Sequence, residues 1–163
     1  HYRQRNLLLE NRGTGTPGGP LYRDATDEAG PGFQVEESSR GLAVGDYDND
    51  GDLDILITNL DAPPTLLRND GAGGSWLTVV CQTAVGGEAP IGTTVTVTAA
   101  GRTQVHDIAS GDSYLSSHDP RLHFGLGTAE TVERVDVRWP DGTHSVRTEI
   151  PARQFLTVRK GGT

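Results

Sequence analysis

Apolar and polar residues alternate with a period of two along much of the chain, most clearly in its second half. Ile91, Thr93, Val95, Val97 and Ala99 mark one face of a strand, while Thr94, Thr96 and Thr98 mark the other. Val135, Val137 and Trp139 alternate in the same way with Arg134, Asp136 and Arg138. Pro140-Asp141-Gly142 then predicts a turn into a strand over residues 143–148, and residues 155–159 predict a closing strand. No amphipathic helical stretch of ordinary length competes with this pattern, so the expected fold class is all-β, with an antiparallel sandwich or barrel over residues 75–160 and a tail over 161–163. In the first half, Gly41 to Gly45 and Ile55 to Thr58 predict two short antiparallel strands. They flank the run Asp46-Tyr47-Asp48-Asn49-Asp50-Gly51-Asp52-Leu53-Asp54.

That run puts five carboxylates into nine residues. Acidic residues at alternate positions turn several oxygens inward on one tight coil, and Gly51, sixth in order, permits the sharp turn that wraps them around a hard cation. Two unit charges about 4 Å apart interact by roughly 4 kcal/mol near a protein surface, so the cluster is expected to be loose without an ion. The expected ion is Ca²⁺, with side-chain ligation by Asp46, Asp48, Asp50 and Asp54 and the backbone carbonyl of Asp52. An EF-hand would carry a bidentate Glu in twelfth place and a helix on either side; here that place is Ile57 and the flanks are β-rich. The alternative is a solvated acidic turn without an ion.

Residues Arg40 to Asn59 resemble the FG-GAP or VCBS repeat of extracellular β-propellers. The segments Ile91-Gly92-Thr93-Thr94-Val95-Thr96-Val97, Gly111-Asp112-Ser113-Tyr114-Leu115-Ser116, Leu122-His123-Phe124-Gly125-Leu126-Gly127 and Val135-Asp136-Val137-Arg138-Trp139-Pro140-Asp141-Gly142 carry a second likeness: residues Trp76 to Lys160 resemble the ASPIC/UnbV domain. The resemblance implies an extracellular β-protein, since such domains commonly follow such repeats in bacterial secreted proteins; it implies no defined activity.

An internal echo bears on assembly. Leu8-Leu9-Glu10-Asn11-Arg12-Gly13 recurs 58 residues later as Leu66-Leu67-Arg68-Asn69-Asp70-Gly71. Between the copies lie a Gly/Pro-rich turn over residues 13–20, the segment 21–26, a second turn near Gly30-Pro31-Gly32 and the acidic hairpin. Residues 1–74 thus read as one blade-like unit plus an orphan strand over residues 6–10. A propeller needs about four or more blades, so this chain does not form one by itself. Either it is part of a longer protein, or its N-terminal strand pairs with another copy, which would make a head-to-tail oligomer or filament. The alternative is that Leu7-Leu8-Leu9 pairs within its own sheet.

Composition narrows the partners. The net charge of −8 and the lack of a basic cluster with interleaved aromatics disfavour nucleic acid. No run of about 18 apolar residues predicts a membrane span. The chain begins at His1 rather than Met and carries no signal-peptide pattern, which predicts a processed product or a fragment. Cys81, the single cysteine, excludes an intrachain disulfide and is expected to be a buried, inert thiol on the face of Leu77 and Val79. No N-x-S/T sequon is present, whereas the threonines at 14–16 and 93–98 would permit O-glycosylation on an exposed fibre.

Candidate catalytic chemistry is thin. Ser113, Ser116 and Ser117 precede His118-Asp119, but no nucleophile elbow or H-E-x-x-H motif accompanies them, and Gly125-Leu126-Gly127 lacks the rest of a dinucleotide site. His123, flanked by Leu122 and Phe124, is expected on the outer face of a strand, and His106 and His144 as ordinary strand or surface histidines. The 111–119 loop is the expected contact surface of the second half, with Tyr114 and Leu115 packed on the sheet and a second ion at Asp112 and Asp119 as the lesser alternative. The expected function is a non-enzymatic, extracellular, calcium-stabilised structural or adhesive β-module that binds itself. The alternatives are part of a propeller-containing surface protein that binds another protein or a glycan, and an accessory domain of an enzyme.

Overall fold

In the second half the alternating valines build two facing sheets. The computed structural model describes residues 2–13, 21–71 and 73–162; the expected turn and the threonines over 14–20 lie outside the described residues. Strands β8 (Ser75–Gln82), β11 (Leu122–Gly127) and β14 (Gln154–Arg159) form one sheet in the order β11-β8-β14. The other sheet has the order β10-β9-β12-β13, from β9 (Thr94–Ala99), β10 (Arg102–Asp107), β12 (Thr131–Arg138) and β13 (His144–Pro151). Val95, Val97, Val135 and Val137 pack with Trp139 against Leu77, Val79, Phe124 and Val158, all essentially buried. Full burial of such side chains contributes about 1.5–3 kcal/mol each, so this cluster is the dominant hydrophobic asset of the chain. Trp139 satisfies its indole N–H on Ser145 Oγ at 3.0 Å.

Two expectations are corrected in this half. The closing strand β14 runs parallel to β8, pairing Gln154 to Arg159 with Leu77 to Gln82, so the sheet is mixed rather than purely antiparallel. Ile91 is exposed, because the strand starts at Thr94 and residues 91–92 form the turn before it. Cys81 joins the core beside Leu77 and Val79, and burial pushes its thiol up to about 12.

The first half is thinner. Strands β5 (Ser39–Gly45), β6 (Asp54–Asn59) and β7 (Ala62–Leu67) form an antiparallel meander, with Ala43, Leu56 and Leu66 in one row across it. Among the described residues only Ala25, Phe33 and Ile57 are buried apolar residues outside the sandwich core. Phe33 lies in a short 3₁₀ turn, Pro31–Gln34.

The orphan strand expected over residues 6–10 is replaced by two short strands, β1 (Gln4–Arg5) and β2 (Leu9–Asn11), both paired within the chain. β1 pairs with β4 (Glu36–Glu37), and β2 pairs with β3 (Tyr22–Asp24). The chain reverses so that Leu8 donates its N–H to Thr26 Oγ1 at 3.0 Å and accepts from Ala25 N–H at 2.8 Å, which satisfies the backbone locally. Leu7 and Leu9 remain exposed.

Candidate metal centre

The acidic run forms the apex of the β5–β6 hairpin. Asp46 follows the last residue of β5 and Asp54 opens β6, so the ladder pair Gly45 and Asp54 fixes both ends of the coil. Asn49 and Gly51 take left-handed backbone angles, φ 61° and 97°, which turn the chain between them. The buried Asp46 accepts the Asp50 N–H on Oδ1 at 3.1 Å and the Gly51 N–H on Oδ2 at 3.0 Å. Asp50 Oδ1 accepts the Asp52 N–H at 2.9 Å.

These turns bring carboxylate oxygens of Asp46, Asp48 and Asp50 within 4.8 Å of one another. Oxygens on opposite sides of a Ca²⁺ shell stand about 4.6–5.2 Å apart, twice the usual bond length, so the three fit around one ion. Asp48 and Asp50 are exposed, which leaves the outer side open to water ligands. Asp54 stands outside that group; it is buried, and its oxygens accept the N–H groups of Tyr47 at 3.1 Å and Asn69 at 2.9 Å. The Asp52 side chain leans against Gly71, where a Cβ would lie 1.8 Å from Oδ2. Desolvation there, with repulsion from Asp50 next, raises the Asp52 carboxyl above its ordinary value.

The apex is seated on the sandwich. A Cβ on Gly51 would fall 2.0 Å from Trp76 Cε2, so the bare glycine lies directly against the indole. Trp76 in turn stacks on His123 with ring centroids 6.1 Å apart and meets the Phe155 edge at 5.2 Å. His123 does project from the face opposite the core, but that face is covered by the acidic hairpin rather than by water. Burial lowers its basicity, partly offset by Asp46 and Asp52, and it bonds Thr78 Oγ1 at 3.2 Å.

Residues 113–119 form a strap along the free edge of β5. Ser116 Oγ donates to the Leu42 carbonyl at 2.6 Å, the Val44 N–H donates to His118 Nδ1 at 3.1 Å, and the Asp119 N–H donates to the Val44 carbonyl at 3.0 Å. This strap is where the expected contact loop lies, with one correction: Tyr114 and Leu115 are 65% and 83% exposed and do not pack on the sheet. The strap approaches edge-on through its backbone, close enough that a Cβ on Gly41 would stand 3.0 Å from the Tyr114 carbonyl oxygen, so those two side chains point away. Ser116, His118 and Asp119 are each bonded elsewhere rather than to one another. His106 stacks on Phe124 at 4.6 Å, and His144 bonds Asp136 at 2.7 Å.

The sequence reading did not single out Arg121. Its Nη2 donates to the Asp46 carbonyl at 2.6 Å, Nη1 to Asn49 Oδ1 at 2.6 Å and Nε to Asp119 Oδ2 at 2.7 Å, and its guanidinium lies 5.4 Å from the Phe155 ring centroid. Its loop partners are 72 and 75 residues away, a separation that no local motif spans.

Cartilage acidic protein 1 of Mus musculus is 35% identical over 122 residues, which cover 71% of this chain and 19% of the relative. The Homo sapiens protein is 35% identical over 122 residues, covering 71% and 18%, and that of Xenopus tropicalis is 33% identical over 122 residues, covering 71% and 19%. The chain thus spans about a fifth of the length of these relatives. No helix among the described residues is long and apolar enough to cross a membrane. Residues 86–163, which hold most strands of the sandwich, match the model of the family described as ASPIC and UnbV.

Proposed function

We propose that this chain is a non-enzymatic, extracellular, calcium-stabilised β-module with a structural or adhesive role, built from an FG-GAP/VCBS-like unit over residues 1–74 and an ASPIC/UnbV-like unit over residues 75–160. The observation that carries the reading is the convergence of Asp46, Asp48 and Asp50 at the point where the hairpin meets the sandwich. Ca²⁺ bound there supplies the positive charge that lets these carboxylates lie together. Asp52 contributes its carbonyl and Asp54 a lone pair that its amide donors leave free. The first half buries little apolar surface of its own, so holding the hairpin rigid is what the ion offers the fold. Extracellular sites of this class commonly have Kd near 10⁻⁴–10⁻³ M, which suits a calcium-rich setting. The name of the relatives, which refers to cartilage, supports an extracellular place for this chain too.

In its finer form the module assembles with its own kind by donating its N-terminal strand to the next copy. The ladders that would have to open are short, two and three residue pairs, and the segment exposes Leu7 and Leu9. A second reading, part of a propeller-containing surface protein that binds another protein or a glycan, is favoured by the apolar row of Leu56 and Leu66, which the meander leaves exposed. Negative-stain electron microscopy of the chain with and without a chelator tests the first form. Filaments that fray on calcium removal support it. Dispersed monomers in both conditions overturn donation and favour the second reading. Deleting residues 1–12 refines the test: oligomers should vanish while the sandwich stays folded. Turnover of any substrate dependent on Ser116 and His118 would overturn the non-enzymatic reading.

A further inference from the structure

Arg121 belongs to the second half yet holds the acidic loop of the first. We propose that it is a positioning residue for the calcium loop, so that ion binding and docking of the two halves strengthen one another. The proposal rests on the calcium reading above and adds to it a residue and a coupling.

The guanidinium presents planar, fixed donors, and three of its directions are used, two on the acidic loop and one on the strap. Nη2 fixes the carbonyl of Asp46, the first residue of the ligand array. Nη1 fixes the Asn49 side chain, at the residue where the backbone turns left-handed between Asp48 and Asp50. Nε is held by Asp119, whose own N–H is bonded to Val44 on β5, and the Arg121 N–H donates to Asp119 Oδ1 at 2.9 Å. The same side chain therefore grips the loop at one end and the strap at the other. A loop shaped by Arg121 is preformed for the ion only while the halves are docked. By thermodynamic reciprocity, an ion that favours the shaped loop must favour docking by the same factor.

Electrostatics alone predicts the opposite sign. A guanidinium beside a cation site repels the ion, so neutralising it would tighten Ca²⁺ binding. Positioning predicts that both Arg121→Gln and Arg121→Lys weaken binding, because lysine keeps the charge but cannot span three directions.

The experiment is calorimetric titration of the whole chain with Ca²⁺, comparing the unsubstituted protein with R121Q, R121K and Asp119→Asn, each checked for its β-sheet circular dichroism. The expected result is a rise in Kd of about tenfold for R121Q and R121K, and a smaller rise for D119N, within the usual range of coupling factors. Calcium should also slow proteolytic cleavage of the strap over residues 113–119 in the unsubstituted chain and lose that effect in R121Q. Unchanged or tighter binding by R121Q overturns the coupling while leaving the calcium reading intact. A chain that takes up no Ca²⁺ overturns both. Should R121Q fail to fold, D119N decides: an unchanged Kd and unchanged calcium protection of its strap refute the proposal.

Discussion

Gly51 offers the sharpest structural test of how the acidic apex is seated. Its φ of 97° is a conformation that L side chains rarely adopt, and its missing Cβ is replaced in space by the Trp76 ring, 2.0 Å from the ideal Cβ position. Gly51→Ala therefore meets two penalties. Left-handed backbone costs a non-glycine residue roughly 1–2 kcal/mol. Forcing a methyl into an occupied space costs about 1–3 kcal/mol more, because the indole is itself wedged against His123 and Phe155 and cannot simply rotate away. The expected loss is about 2–5 kcal/mol, a large share of the 5–15 kcal/mol typical of a folded domain. At roughly 2–4 °C per kcal/mol for a chain of this size, the melting temperature should fall by on the order of 10 °C. Gly125→Ala is the matched control, since nothing lies within 4 Å of its Cβ position, and it should stay within about 0.5 kcal/mol. Chemical denaturation followed by tryptophan fluorescence reads both. Equal stability of G51A and G125A would refute the seating of the loop on Trp76.

Asp48→Asn should leave stability in chelator within about 0.5 kcal/mol but abolish most of the thermal stabilisation that Ca²⁺ supplies, measured by scanning calorimetry with and without the ion. Asp54→Ala should cost about 1–3 kcal/mol even in chelator, because it leaves the Tyr47 and Asn69 N–H groups without their acceptor; denaturation in chelator should show this, and no loss would contradict the capping role. Cys81, buried and with its thiol pushed up to about 12, should react with a disulfide reagent at pH 8 only after denaturant is added. Trp139→Phe should destabilise by about 1–3 kcal/mol, since the buried Ser145 hydroxyl loses its partner and a gap opens in the core, as urea unfolding would measure.

The strands of the sandwich were legible because alternation reports burial directly. Val95, Val97, Val135, Val137 and Trp139 all face the core, as their spacing implies. Alternation does not name a strand's neighbour, and this is why the parallel pairing of β14 with β8 was invisible: Phe155 to Arg159 would read the same in either direction. The acidic hairpin was legible through the order of its aspartates and Gly51, whereas its support was not. Trp76, His123 and Arg121 sit on the outer face and flank of a sheet, where the local pattern gives the same signal for water as for a docked loop. The strap misled for a related reason. Tyr114 and Leu115 looked like packing residues, but a segment that docks by its backbone and by Ser116 and His118 has no need to bury its largest side chains.

The central claim is that Asp46, Asp48 and Asp50 hold a calcium ion that stabilises the joined module. Its most direct test is scanning calorimetry of the chelated chain titrated with Ca²⁺, with Mg²⁺ in parallel. The account predicts a single saturable rise in melting temperature with Ca²⁺, reaching about 2.7 kcal/mol of added stability at a hundred times Kd, and a much weaker response to Mg²⁺. A melting temperature that does not move at millimolar Ca²⁺ would contradict it.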